Sequence, residues 1–297
     1  MQTKDEVMQM QSIWSKETEL TSRAALGGDL TVEVAVIGGG MAGILTAYML
    51  QKKGKNVVLL EAQAIGGGQT KNSTAKITSQ HNVIYNRLIH DFGIEKAKQY
   101  ADANEAAVAM YRSIVAEEHI DCHFENRSAY LYSADESSVL MNEAQAAKRL
   151  GISAEFTTDT ALPFDVCGAV RFEGQAQFNP LEFIGALAKQ LTIYEHTEVK
   201  KAEGNRLITE HGVVTAGQVV FATHYPFLLL PGLYPVRMHQ ERSYVIALEN
   251  AQQLEGMYIG VDGNRLSMRN AGALLLLGGG NHRTGENSKG GRYSALA

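Results

Sequence analysis

Three features of this sequence predict an α/β fold with a Rossmann-like dinucleotide-binding domain and a second domain of antiparallel sheet. Residues 31–61 read strand, glycine turn, helix, strand and acid in that order. A loop rich in glycine, serine and threonine follows at residues 66–76. Past Asp121 the apolar residues change from helical spacing to short alternating runs.

Val32, Val34, Val36 and Ile37 form a β-branched run typical of a buried parallel strand. Gly38, Gly40 and Gly43 follow in G-x-G-x-x-G spacing. The first turns the chain, the second lets backbone approach a pyrophosphate, and the third lets helix pack close to strand. Met41 to Lys53 reads as the helix, whose amino terminus would face the phosphates. Gly54 ends it, and Val57 to Leu60 is a second buried strand. Glu61 lies about 20 residues past the glycines, where an acid accepts hydrogen bonds from ribose hydroxyls and repels a 2′-phosphate, disfavouring NADP. The expected contacts here are Gly38, Gly40, Met41, Ala42, Gly43, Glu61 and Ala62.

At 297 residues there is room for two domains or one large one. A hydrophobic content of 45% and a charged content of 20% are those of a globular protein. A net charge of −5, with no dense run of Lys and Arg, argues against a nucleic-acid partner. Cys122 and Cys167 form no disulfide framework and fit a reducing compartment. The first thirty residues lack a signal-peptide core, and no apolar run approaches the roughly 20 residues of a membrane span. The expectation is a cytoplasmic protein. Met1 to Leu30 reads as a mobile lead-in, with Trp14 docked on the body.

The loop from Gly66 to Lys76 is more than a nicotinamide enzyme needs. A flavoprotein does need small residues and backbone amides beyond the pyrophosphate, so FAD is the expected cofactor. GGGMAG, the strand ending in LLEA, and KNSTAKITSQH together resemble the D-amino-acid oxidase-like superfamily of FAD-dependent oxidoreductases. More narrowly, they resemble bacterial members that carry a carboxyl-terminal Rieske iron–sulfur domain. The resemblance implies that Thr70, Ser73, Thr74 and Lys76 lie near the flavin and that His81 approaches it. Lys76 reads either as a cation favouring reduced flavin or as a solvent-facing lysine.

Glu95 to His119 has helical periodicity, with Tyr100, Ala103, Ala107, Met110, Tyr111, Ile114 and Val115 as the expected buried stripe. Phe124, Tyr130 and Tyr132 then fall in strand-like runs. The adjacent Cys122 and His123 lack convergent partners, and no Cys-x-His pair appears, so neither a metal site nor a Rieske cluster is expected. Glu136 to Leu150 is a helix closed by Gly151. Asn179 as N-cap with Pro180 following starts another helix.

By resemblance, Ile193 to Val199 is a flavin-domain strand whose Val199 backbone meets adenine. Leu207 to Val214 reads as a hairpin. Ala222 and Thr223 end the strand that returns to the dinucleotide, although relatives often have glycine where His224 stands. Pro226 to Pro235 reads as a crossing segment, and Arg242 to Ala247 as a strand. Asn264 to Gly280 reads as a hairpin turning at Asn270 to Gly272. Its Arg269 occupies the place of the arginine that grips substrate carboxylate in amino-acid-oxidising relatives, and equally reads as a surface hairpin arginine.

The resulting organisation is a lead-in (1–30), a discontinuous FAD domain (31–120, 178–224 and the start of a shortened segment at 285–297) and an inserted α+β substrate domain (121–177, 225–284). The chain stops where relatives continue into a further strand and helix, which suggests a truncated product. The expected activity is hydride transfer from a small amine or amino acid to FAD, with Arg269, His81 and Lys76 as the reacting side. The expected partner is a Rieske or other electron-transfer protein. A non-catalytic remnant of such an enzyme is the alternative.

Overall fold

The structure is a computed structural model that describes residues 11–227, 232–263 and 266–285. Parts of the expected crossing segment, the Asn264 end of the expected hairpin and residues 286–297 lie outside them. In chain order the elements begin with α1 (Ile13–Glu17), β1 (Leu30–Ile37), α2 (Met41–Lys52), β2 (Val57–Leu60) and β3 (Lys76–Ile77). Next come α3 (Tyr85–Phe92), α4 (Ile94–Glu117), β4 (Glu125–Ser133), α5 (Ser138–Arg149), β5 (Ala154–Thr157) and β6 (Gly168–Gln177). They continue with α6 (Pro180–Ala188), β7 (Thr192–Tyr194), β8 (Lys201–Glu203), β9 (Arg206–Thr209) and β10 (Gly212–Phe221). Strands β11 (Glu241–Leu248), β12 (Met257–Gly260), β13 (Ser267–Ala271) and β14 (Leu274–Arg283) follow.

The chain divides into two compact units: residues 1–73 with 179–234, and residues 74–178 with 235–297. The first division falls between Ser73 and Thr74, not near Ile120 as the sequence suggests. The reason is pairing: β3 is antiparallel to β6 at Ile77 and Ala176, and α3 and α4 pack with α5 in the second unit.

The first unit carries a sheet in the order β7-β2-β1-β10-β9-β8. Strands β7, β2, β1 and β10 are parallel, and the β9–β10 hairpin adds antiparallel edge strands. Because β1 is central, the chain leaves it for β2 on one side and returns as β10 on the other. The carboxyl ends of these strands therefore flank a topological switch point, the usual crevice for ligands in such sheets. Val32, Ala35, Val58, Leu60, Leu207 and Val214 form the core. Asn179 Oδ1 accepts from Leu181 N at 3.0 Å and Glu182 N at 3.4 Å, so α6 starts where its cap and proline predict. Regular β7 ends at Tyr194, short of Val199, because His196 turns the chain with a φ of 49°.

Residues 11–29 are not the loose lead-in that polarity alone implies. They form a strap along the first unit, tied by backbone and side-chain hydrogen bonds from Ser12 to Asp29. Trp14 is 4% exposed and does dock on the body.

The second unit has a sheet in the order β11-β14-β13-β12-β4-β6-β3, with β5 also paired to β6. It is antiparallel except that β12 runs parallel to β4, since the two strands come from separate passes of the chain through this unit. Helices α3, α4 and α5 cover it through Tyr85, Ala97, Ala101, Leu140, Ala147 and Leu150. The buried face of α4 is Ala97, Ala101, Val108 and Ile114, whereas Ala103, Ala107 and Met110 are exposed. Polar side chains share that face: Asn104 meets His81, and Glu105 meets Gln175. A purely apolar stripe therefore misplaces it.

Helix α3 has no side-chain cap of its own. Glu143 on α5, which is 0% exposed, accepts from Ile84 N, Tyr85 N and Asn86 N at 2.7, 2.7 and 2.9 Å. A carboxylate thus meets the positive end of the helix from another element. Among the described residues no helix is long and apolar enough to cross a membrane.

Candidate cofactor and substrate sites

In the first unit, β1 leads directly into the glycine turn. Gly38 N donates to Leu60 O at 2.8 Å, and Ala222 N donates to Ile37 O at 2.8 Å, so the turn is pinned between β2 and the end of β10. Gly38 has a φ of +108°, and a Cβ there would lie 2.5 Å from Ala222 O. A Cβ on Gly43 would overlap the carbonyl oxygen of Gly38, so α2 can approach β1 only through glycine. Gly40 differs. A Cβ there would meet only Thr70 Oγ1, at 3.4 Å, which leaves its face open to an incoming group.

That open face lies at the amino terminus of α2, where the first N–H groups have no intrahelical acceptors. Thr70 Oγ1 accepts from Met41 N at 3.0 Å, so this predicted residue sits directly on the helix end. Glu61 Oε2 accepts from Gly39 N at 2.6 Å, and its Oε1 accepts from Gln63 N at 2.8 Å. A carboxylate has about four lone-pair sites, so each oxygen keeps acceptor capacity for a hydroxyl. Open glycine, helix terminus and acid together fit the pyrophosphate and ribose of a dinucleotide.

The structure thus brings together Gly38, Gly40, Met41, Gly43, Glu61, Thr70 and Ala222. Ala42 belongs to the first turn of α2, Ala62 follows Glu61, and Ser73 ends the loop that carries Thr70. Thr223 Oγ1 donates to Tyr225 O at 3.0 Å, beside Ala222. Val199 is buried in the core of this unit. His224 takes a φ of 63°, a left-handed conformation that glycine would adopt at less cost.

Gly39 is a feature the spacing rule overlooks. A Cβ there would lie 2.8 Å from Ile65 Cγ2, and Gly66 N donates to Gly39 O at 2.9 Å. The loop after β2 is therefore folded back onto the glycine turn. Buried Glu195 supports it by accepting from Ile65 N at 2.8 Å.

In the second unit, Arg269 is 2% exposed. Its Nη1 donates to Ala75 O at 2.6 Å and Phe178 O at 3.4 Å, and its Nε donates to Asn270 O at 3.0 Å. It ties β13 to the chain where β3 and β6 meet, so these nitrogens serve the fold and not an open surface. Burial lowers its pKa to about 10, with Glu125 opposing that shift. Lys76 Nζ donates to Tyr258 O at 3.0 Å and also to Ser267 Oγ. Although Lys76 keeps some exposure, its amino group is enclosed by protein. Burial, and then the charge of Arg269, lower its pKa to about 7. Arg269 stays charged, and Lys76 is the member of the pair able to lose its proton near neutrality.

Thr74 lies two residues before Lys76, in the loop that leads into β3. His81 is exposed, with Nε2 3.1 Å from Asn104 Oδ1 and its ring edge-on to Tyr100 at 6.5 Å. Between Lys76 and His81, the buried Ser79 Oγ and both amide atoms of Gln80 have no hydrogen-bond partner. Such atoms are uncommon in folded proteins. Nothing in the spacing of KITSQH marks them.

The family model described as DAO, FAD dependent oxidoreductase, matches residues 33–294. The chain is 37% identical over 292 residues to a Rieske 2Fe-2S iron-sulfur protein, YhfW, of Bacillus subtilis (strain 168), covering 93% of this chain and 57% of that protein. The chain therefore spans little more than half the length of that relative. L-proline dehydrogenase from P. horikoshii has a similar structure, with a TM-score of 0.66 at 18% identity over 86% of this chain and 71% of that one. Glycine oxidase from Geobacillus kaustophilus has a TM-score of 0.62 at 17% identity, over 86% and 72%. These likenesses show the fold. This chain belongs to the DAO family of FAD-dependent oxidoreductases, whose cofactor is FAD.

Proposed function

From that membership we propose that the chain holds FAD on the glycine turn of its first unit and oxidises a small amine or amino acid. The open face of Gly40 between Thr70, Glu61 and the α2 terminus is the observation that carries this reading. When bound, FAD supplies the acceptor for a hydride from the carbon bearing nitrogen. The N–H groups of Ala42 and Gly43 would receive the pyrophosphate beside Met41, whose own N–H is held by Thr70, and Glu61 the ribose hydroxyls. Ala62, Ser73, Thr74, Val199, Ala222 and Thr223 complete the proposed cofactor set.

In the second unit, Lys76 would take the proton of a substrate ammonium by turning its amine away from Tyr258 O and Ser267 Oγ, which frees the nitrogen lone pair that oxidation requires. Arg269 supports this in two ways. Its fixed charge holds Lys76 toward the neutral amine and favours a substrate that carries a carboxylate. His81, exposed and held by Asn104, completes the proposed reacting set. The proposed electron acceptor is an iron–sulfur or other carrier protein, a reading supported by the Rieske relative.

The test is the visible spectrum of the purified protein with and without FAD, followed by anaerobic addition of amines, amino acids and 2-hydroxy acids. Two flavin bands that survive gel filtration and bleach with an amine or amino acid are expected. A colourless protein that added FAD does not reconstitute would overturn the reading. Bleaching by hydroxy acids alone would replace its substrate class.

A further inference from the structure

The strap before β1 lies ahead of the family match at residue 33, yet it contacts the loop that carries Thr70. Ser12 Oγ donates to Lys71 O, and Trp14 Nε1 donates to Ser73 O at 2.8 Å. Ser12 also caps α1, accepting from Trp14 N at 3.2 Å. Farther along, Leu20 lies against Gly66 and Gly185, where a Cβ would meet it at 3.3 and 2.7 Å. Buried Glu195 joins strap and loop directly: Oε2 accepts from Arg23 N at 2.7 Å while Oε1 accepts from Ile65 N at 2.8 Å. Leu26 N then donates to Thr197 Oγ1 at 3.0 Å.

The loop between Ile65 and Ser73 is thus held at both ends by a segment distant in sequence. In its middle, Thr70 Oγ1 accepts from Met41 N at the α2 terminus. The turn at Gln69–Asn72 is a single short one, too small to fix that hydroxyl by itself. We propose that residues 12–26 are a clasp for the cofactor loop and that Trp14 is a positioning residue for FAD, acting through Thr70. This rests on the FAD reading above. It adds that cofactor affinity is set partly from outside the dinucleotide motif.

Two measurements on full-length protein test it. Dissociation constants for FAD, read from flavin fluorescence, are compared for wild type, Trp14→Phe, Trp14→Ala, Thr70→Val and the double variants. Trp14 is the single tryptophan of the chain, so its quenching by FAD gives a second readout for variants that retain it. Trp14→Ala should weaken FAD binding about tenfold, the scale of one or two lost contacts, and Trp14→Phe by less. In the Thr70→Val background, Trp14→Ala should add little further loss. A merely structural tryptophan would give additive losses, which would overturn the positioning role, as would unchanged affinity in Trp14→Ala.

The second measurement is tryptic cleavage after Lys71 in the absence of FAD. The clasp predicts faster cleavage in both Trp14 variants, and wild-type rates in both would overturn it. Trp14→Phe keeps the buried ring and preserves the test where Trp14→Ala does not fold. If wild type itself fails to bind FAD, the cofactor reading and the positioning role fall together. Cleavage after Lys71 then decides the clasp separately.

Discussion

The glycine turn of the first unit and the Lys76–Arg269 pair of the second are built in opposite ways. In the turn, the determining residues lie within one strand–helix–strand stretch, with Ala222 just past β10 as the single distant addition, and the constraints are steric. Gly43 is fixed by the Gly38 carbonyl and Gly38 by Ala222. In the cation pair, Lys76 and Arg269 are nearly two hundred positions apart and meet only because the second sheet brings β13 to the ends of β3 and β6. The first arrangement depends on the absence of side chains, the second on two charged ones sharing a poorly solvated place. A local motif can be read from spacing. A charge environment cannot.

The largest effect that would break this contrast is expected in the turn. Gly43→Ala should lower unfolding stability by about 4 kcal/mol and abolish FAD binding, because the methyl group collides with backbone that cannot move aside. Gly40→Ala should leave stability within about 0.5 kcal/mol of wild type while weakening FAD at least tenfold, since its added atom meets only Thr70. Urea unfolding of both variants, with flavin titration, checks the pair. Equal stability losses would mean that Gly40 is structural and its face is not kept for a ligand.

Next in size is Arg269→Leu, which strips donors from Ala75 O and Phe178 O in a buried place. A loss of about 3 kcal/mol is expected, together with a rise in the pKa of Lys76 as the neighbouring charge disappears. Denaturant unfolding and NMR titration of the lysine amine measure the two effects. A stability change near zero, with KM raised for carboxylate substrates only, would return Arg269 to a purely substrate-binding role.

The remaining effect is a pH slope, the smallest when read per pH unit. Lys76 has a folded pKa of about 7 against an ordinary value of 10.5, so the unfolded chain binds the extra proton between those limits. Stability should therefore rise with pH through that window, by up to about 1.4 kcal/mol per unit. Lys76→Met should flatten the slope. Unfolding midpoints from pH 6.5 to 9.5, roughly that window, decide it, and an unchanged slope in the variant would assign the dependence to another group.

Local chemistry accounts for what the sequence determined by itself. The β1–α2–β2 stretch with Glu61 could be placed because strand period, glycine spacing and helix ends are properties of neighbouring residues. The Asn179–Pro180 start of α6 and the β13–β14 hairpin turning near Gly272 were legible for the same reason. Tertiary structure decided the rest. The first division between units falls at Ser73 because β3 finds a partner in β6, a pairing fixed by residues about a hundred positions away. The inner face of α4 turned on polar contacts to His81 and Gln175, invisible to an apolar stripe. The strap, the burial of Arg269 and the lowered pKa of Lys76 all arise where distant segments exclude water together. Solvent exclusion belongs to the folded unit, so no spacing rule encodes it.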